Sequence, residues 1–182
     1  MKNKSLIITA VALAVILGAA VLVYPSLSQK ASEELTTKAA DEQTTNAYPQ
    51  YADITIYDNK GNAVQLSDFI GKPVIVNFWA TWCGYCLQEM PDFEEAYRLY
   101  GEDIQFLMVN TDDGISKGEQ YISSRNFTFP TYYDLDYSAY MSYGLYSGIP
   151  RTLAIDADGN MVYNRSGMID STRLQGIIDM VK

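Results

Sequence analysis

The sequence predicts an α/β protein in which a mixed sheet is flanked by helices, and two observations support this prediction. The runs Val74–Trp79 and Ile104–Asn110 are almost entirely apolar, as expected of strands that are buried on both faces. Between them, apolar residues from Cys83 to Tyr100 recur with helical spacing, so that a helix connects the two buried strands. Strands joined by helical crossovers indicate helices packed on a sheet.

The remaining elements are shorter, and they are predicted mainly from the turn and capping residues that flank them. Hairpins are predicted where short apolar segments flank the turn at residues 59–62 and the Asp158-Gly159-Asn160 turn. A helix is expected around residues 117–124, with residues 137–143 as a shorter candidate, and we expect Ser171 to cap a last helix that runs through Met180. The predicted order of the main elements is β-β-β-α-β-α-β-β-α.

The first fifty residues differ from the rest in composition. Two lysines precede Leu6–Val23, an 18-residue run without a charge, which is close to the roughly 20 residues that a membrane-spanning helix needs. We therefore divide the chain into a cytoplasmic N-terminus (1–5), a transmembrane anchor (6–23), a flexible linker (24–50) and a folded domain (51–182). The lysines favour an N-terminus in the cytoplasm and a domain outside the cell membrane. The alternative is a cleaved signal peptide and a secreted domain.

Composition excludes several classes of function. The formal net charge is −9, and an acidic protein repels phosphate backbones, so we expect no nucleic-acid partner. The chain contains no histidine, which excludes Ser-His-Asp and Cys-His catalysis as well as histidine-ligated metal sites. We expect neither a metal nor another cofactor.

Cys83 and Cys86 are the only cysteines, and both lie at the start of the helix that follows the first buried strand. Unpaired N–H groups and the helix dipole at this position favour a thiolate. We therefore predict an exposed nucleophile, Cys83, and a resolving thiol, Cys86, one turn deeper. The alternatives are a structural disulfide, which contributes only about 2 kcal/mol across so short a loop, and a zinc site that lacks its other ligands.

The stretch NFWATWCGYC, followed by Pro91, resembles the active-site stretch of the thioredoxin superfamily, and its exported, membrane-tethered TlpA/ResA-like branch fits best. The similarity covers about residues 50–182. It implies a thioredoxin-like fold with an N-terminal β-hairpin and a central insertion, in addition to the N-terminal transmembrane helix. It also implies that Gly148-Ile149-Pro150 is the cis-proline loop, which faces the cysteines and pairs with the substrate backbone.

The resemblance implies a set of site residues. The catalytic residues would be Cys83, Cys86 and Glu89, and the substrate-binding residues Trp82, Tyr85, Ile149 and Pro150. Cytoplasmic thioredoxins have a buried aspartate where this chain has Asn77, and we expect Glu89 to replace it. A partly buried Glu89 would have a raised pKa and would move protons to or from Cys86. The alternative is a solvated carboxylate on the helix surface.

Similar proteins reduce disulfides of exported proteins, such as apocytochrome c before haem attachment or an exported repair enzyme. They usually draw electrons from a membrane thiol transporter. Ile149 before the proline and the absence of histidine between the cysteines favour a reductase here. The Gly84-Tyr85 pair also occurs in exported isomerases, so an oxidase or isomerase is the alternative. A third hypothesis is a non-catalytic, tethered binding module with a static disulfide.

The tyrosine-rich stretch at residues 132–146 has two interpretations. It could provide an aromatic docking surface for a partner near the disulfide. It could equally be an irregular segment whose rings divide between the core and its rim, and we favour this second interpretation.

Overall fold

The computed structural model describes residues 51–112 and 114–182. The predicted cytoplasmic N-terminus (1–5), membrane anchor (6–23) and linker (24–50) lie outside these residues. Within the described ranges, no helix is both long enough and apolar enough to cross a membrane.

The described residues form one mixed sheet of seven strands in the order β2-β1-β5-β4-β3-β6-β7. The central strands β3 and β4 are parallel, β4 also pairs in parallel with β5, and all other neighbours are antiparallel. The strands are β1 Thr55–Tyr57, β2 Ala63–Gln65, β3 Val74–Trp79, β4 Gln105–Asn110, β5 Thr131–Tyr133, β6 Arg151–Ile155 and β7 Met161–Ser166. The helices are α1 Gly84–Tyr100, α2 Ile115–Arg125, α3 Ser138–Ser142 and α4 Ser171–Val181.

Apolar side chains pack on both faces of the sheet, as the sequence predicted. All six residues of β3 are buried, and their side chains alternate between the two faces. On one face Ile75 and Trp79 join apolar residues of α1, α2 and α4. On the other face Val74, Val76 and Phe78 join residues of β1 and α3. The sheet is therefore covered by apolar side chains on both faces, and the loop that leads into α1 begins at the end of β3.

Most of the predicted elements are confirmed, and two details are corrected. Both hairpins, both buried strands and the helix from residue 84 to 100 are present. The side chain of Asp170, and not that of Ser171, caps the last helix, because its Oδ1 accepts the N–H of Arg173 at 2.8 Å. The tyrosine-rich stretch is not irregular, since it contains β5 and α3. These two elements lie between α2 and β6.

Two helical glycines provide a matched test of packing. A Cβ at Gly118 would lie 2.8 Å from Cε1 of Tyr133 and 3.1 Å from Cγ of Asn110, whereas a Cβ at Gly176 would have no neighbour within 4 Å. The Tyr133 ring cannot move aside to make room for this Cβ, because it is fully buried and its hydroxyl donates to Glu119 Oε1 at 2.5 Å.

We expect Gly118→Ala to lower the free energy of unfolding by about 1–2 kcal/mol, since overpacking outweighs the gain in helix propensity. Gly176→Ala should raise it by about 0.5–1 kcal/mol, because only the propensity changes. Urea denaturation of both variants measures the difference. Stabilisation by both substitutions would show that α2 is not packed as closely against β5 as the structure indicates.

Candidate redox site

Cys83 and Cys86 form a disulfide at the point where α1 begins, with their Cα atoms 5.3 Å apart. Strand β3 ends at Trp79, a short loop follows, and Cys83 is the N-cap residue of α1. The backbone N–H of Cys86 donates to Cys83 Sγ at 3.2 Å. Cys83 Sγ therefore occupies the position of a capping acceptor, where the unpaired N–H groups of the first turn favour negative charge on sulfur.

The prediction that Cys83 is exposed is wrong for this oxidised form. Cys83 is 6% exposed and Cys86 is fully buried. The reason is that Cys83 Sγ is bonded to a buried sulfur and lies 3.6 Å from the carbonyl oxygen of Ile149 on the opposite loop. Access remains unequal, because only Cys83 reaches the surface at all. Beside it, the side chains of Trp82 and Tyr85 are 71% and 65% exposed.

The loop that faces the disulfide contains a cis peptide bond between Ile149 and Pro150, as the resemblance implied. It leads directly into β6, which pairs with β3 and thereby holds the loop opposite the start of α1. Within the part of the chain that the structure describes, the Ile149 N–H has no hydrogen-bond partner. An unpaired N–H and a carbonyl beside the disulfide are the groups that an extended polypeptide backbone needs for pairing.

Glu89 lies one turn after Cys86 and is 1% exposed, so it is not a solvated surface carboxylate. Its Oε1 accepts from Asn77 Nδ2 at 2.7 Å, and its Oε2 accepts the Ile169 N–H at 2.8 Å. Burial raises the pKa of Glu89 to about 7, the charge of Asp92 raises it further, and the two hydrogen bonds hold it back. A carboxyl with this pKa exchanges protons readily near neutral pH.

Cys86 and Glu89 are three residues apart on one helix and are both buried, which places them on the same face of α1. Three predicted site features therefore meet at the start of this helix: the cysteine pair, the cis-proline loop and a buried titratable carboxyl. Trp82 and Tyr85 lie at the rim of the same region.

Three further residues support the site and were not identified from the sequence as part of it. Asp112 is buried just after β4 ends at Asn110, and its Oδ2 accepts the Thr81 N–H at 2.9 Å, so it holds the loop that precedes Cys83. Thr152 on β6 accepts a hydrogen bond from Asn77. Ile169, in the segment before α4, donates its N–H to Glu89. One signal could have identified Asp112, because the carboxyl ends of adjacent parallel strands lie at the same edge of a sheet.

Tyrosines of the 132–146 stretch divide between core and surface. Tyr133 and Tyr143 are buried, whereas Tyr137, Tyr140 and Tyr146 are exposed and form a row of neighbouring rings with centroids 6.2–6.3 Å apart. This division agrees with the core-and-rim interpretation.

Comparison with known proteins places this geometry among redox proteins. The Redoxin family matches residues 39–174. A thiol-disulfide oxidoreductase ResA from Geobacillus kaustophilus is 30% identical over 131 residues, which cover 71% of this chain and 75% of the relative. A crystal structure of a candidate thiol-disulfide oxidoreductase from Bacteroides vulgatus superposes with a TM-score of 0.65 and 34% identity, covering 72% of this chain and 94% of that one.

An exposed lipoprotein thioredoxin from Streptococcus pneumoniae superposes with a TM-score of 0.60 and 26% identity. This superposition covers 70% of the present chain and 99% of the pneumococcal one.

Proposed function

This chain belongs to the Redoxin family and is a thioredoxin-like thiol-disulfide oxidoreductase, and from that premise we propose that it reduces disulfides of exported proteins. The observation that carries the proposal is the Cys83–Cys86 pair at the N-terminus of α1, opposite the cis-proline loop. Cys83 acts as the nucleophile, Cys86 as the resolving thiol, and Trp82, Tyr85, Ile149 and Pro150 contact the substrate.

The reaction begins with the reduced pair. The Cys83 thiolate attacks one sulfur of the substrate disulfide, a mixed disulfide forms, and the other substrate sulfur leaves as a thiolate that takes up a proton. The Cys86 thiol then loses its proton and attacks Cys83, which releases the second substrate sulfur as a thiolate that also takes up a proton. One electron pair has moved to the substrate, which ends as two thiols, and the Cys83–Cys86 disulfide remains.

Glu89 accepts the proton that Cys86 loses in the second step. Cys86 is fully buried, so water cannot remove this proton directly while the site is closed. The pKa of Glu89, about 7, allows it to accept a proton and to release it afterwards within the same pH range.

The direction of electron flow follows from how strongly the Cys83 thiolate is stabilised. A dithiol is a strong oxidant when its reduced form is greatly stabilised. In this chain the helix N-terminus stabilises the thiolate, the Ile149 carbonyl opposes it at 3.6 Å, and no histidine exists to add positive charge. The balance favours a reductant over an oxidase or isomerase.

We place the folded domain outside the cell membrane, tethered by residues 6–23, with the N-terminus in the cytoplasm. Its partners are exported proteins that carry disulfides, such as apocytochrome c or an exported repair enzyme, and a membrane thiol transporter that returns electrons to the disulfide. The resemblance of the cysteine stretch and the apolar N-terminal run support this placement.

Equilibration with defined ratios of reduced and oxidised dithiothreitol tests the direction of electron flow. We expect a midpoint potential of about −270 mV, the value of thioredoxin, together with reduction of insulin disulfides. A midpoint potential of about −120 mV would instead make the protein an oxidase. Absence of insulin reduction by the fully reduced protein would support a binding module with a static disulfide.

A further inference from the structure

The amide of Asn77 is only partly satisfied, and the unsatisfied atom is its oxygen. Asn77 Nδ2 donates to Glu89 Oε1 at 2.7 Å and to Thr152 Oγ1 at 3.2 Å. Asn77 Oδ1 is buried without any hydrogen-bond partner. A buried carbonyl oxygen without a partner is unfavourable, so the structure holds this amide in an orientation that suits only one protonation state of its neighbour.

That state is the ionised one. A carboxylate only accepts hydrogen bonds, and an amide nitrogen only donates them. If Glu89 Oε1 gains a proton, two donors face each other at 2.7 Å. A half-turn of the Asn77 amide removes this conflict, because it exchanges an oxygen and a nitrogen of nearly the same size. Oδ1 then accepts from the Glu89 carboxyl and from the Thr152 hydroxyl, which can donate as well as accept.

We propose that the Asn77 amide turns over when Glu89 gains a proton, so that Asn77 and Thr152 are positioning residues that hold Glu89 in both protonation states. In each orientation the amide atom that faces away from Glu89 and Thr152 occupies the site that now has no partner. That unfavourable contribution is present in both orientations, and the proton on Glu89 decides between them.

The groups that surround Glu89 are such that the proton on Glu89 itself controls the orientation of the Asn77 amide. On α1 these are Cys86, which is held in the disulfide, and Asp92, whose negative charge favours the protonated form. Asn77 on β3 and Thr152 on β6 are neutral. Ile169 contributes only its backbone N–H, and the neighbouring Asp170 carboxylate caps α4 by accepting from Arg173 N–H.

The consequence for the reaction rests on the proposed role of Glu89. Once Glu89 has taken the proton of Cys86, a fixed amide would repel it at once. A turning amide instead holds the proton until the site opens, and the reverse turn restores the hydrogen bond to the carboxylate.

Nuclear magnetic resonance of the ¹⁵N-labelled full-length chain in its oxidised form tests the turn directly, since neither cysteine carries a proton in that form. The Asn77 side-chain resonance is assigned by its absence in Asn77→Ala. At pH 8.5 we expect nuclear Overhauser contacts from the Asn77 amide protons to the Thr152 side chain, and at pH 5 their loss. The change should follow the titration of Glu89. The same contacts at both pH values, with Glu89 titrating, would overturn the proposal.

Two variants make the test specific. In Glu89→Gln the pH-dependent change of the Asn77 resonance should disappear, and its persistence would contradict the proposal. In Asn77→Ala the titration midpoint of Glu89 should rise by about one pH unit, because the ionised form loses the stronger, charge-assisted hydrogen bond. An unchanged midpoint would show that Asn77 does not position Glu89.

The outcome is separable from that of the proposed function. Alkylation of Cys86 in the reduced protein reports proton transfer to Glu89, whereas the amide contacts report the turn. A turning amide with Cys86 alkylation unaffected by Glu89→Gln supports the turn and contradicts the transfer. A fixed amide with altered alkylation does the reverse.

Discussion

Replacing Cys83 with serine is expected to lower the rate of disulfide exchange by at least about 1,000-fold, because a hydroxyl at this position does not ionise near neutral pH. Replacing Cys86 with serine has a different effect. Cys83 can still attack the substrate, but no second thiol releases the product, so the mixed disulfide accumulates. The pair of variants therefore separates the two roles that we propose for the two sulfurs.

The measurement is mass spectrometry under non-reducing conditions after incubation with a disulfide-bonded protein substrate. We expect a covalent adduct with Cys86→Ser and none with Cys83→Ser or with the double variant. Unfolding curves serve as the control, since loss of a disulfide across so short a loop is expected to lower stability by only about 2 kcal/mol. An adduct that formed with Cys83→Ser and not with Cys86→Ser would reverse the assignment of nucleophile and resolving thiol.

Local patterns in the sequence predicted the parts of the fold that depend on local interactions. The β3 run is buried at all six positions, and a short apolar run rich in β-branched residues is typical of a strand covered on both faces. The turns at residues 59–62 and 158–160 lie between paired strands, as their Asn and Gly residues predicted. The cysteine pair was recognisable because the strand, the short loop and the helix follow one another directly along the chain.

Features that depend on distant residues were not predictable in the same way. Strand β5 has three residues and is held by pairing with β1 and β4, so its own sequence contains too little pattern to identify it. Asp112 follows β4, and its contact with the Thr81 N–H exists only because β3 and β4 end side by side.

The burial of Cys83 was missed for a related reason. The position of a residue at a helix N-terminus predicts accessible N–H groups, but it contains no information about what lies opposite. Here the opposite side is the loop at Ile149, which is 66 residues away in the sequence and lies 3.6 Å from Cys83 Sγ.

Replacing Glu89 with glutamine should remove a pH dependence of stability that the wild-type protein shows. The pKa of Glu89 is raised from 4.5 to about 7 in the folded state, so the folded protein binds a proton more tightly than the unfolded chain between these values. The free energy of unfolding of the wild-type protein therefore falls as pH rises through this window. Each pKa unit corresponds to about 1.4 kcal/mol, which gives a loss on the order of 3 kcal/mol by pH 8.

Glutamine cannot ionise, so this loss is absent in Glu89→Gln, although its amide nitrogen faces the Ile169 N–H and one hydrogen bond is lost at every pH. Relative to the wild type, the variant should gain stability steadily from pH 4.5 to pH 8. Urea denaturation of the oxidised proteins at several pH values measures this difference. Glu95→Gln is the matched control, because Glu95 is exposed on the same helix, and it should change stability by less than about 0.5 kcal/mol throughout.

The same variant links stability to catalysis. If the difference between Glu89→Gln and wild type stayed constant with pH, Glu89 would titrate as an ordinary carboxyl and would be ionised throughout the neutral range. A permanently ionised carboxylate beside Cys86 would oppose the thiolate that must form there. Because Cys86 is fully buried, its proton would then need a route through the site other than Glu89. A pH-dependent difference instead shows that the buried carboxyl titrates near neutral pH, where it can exchange this proton.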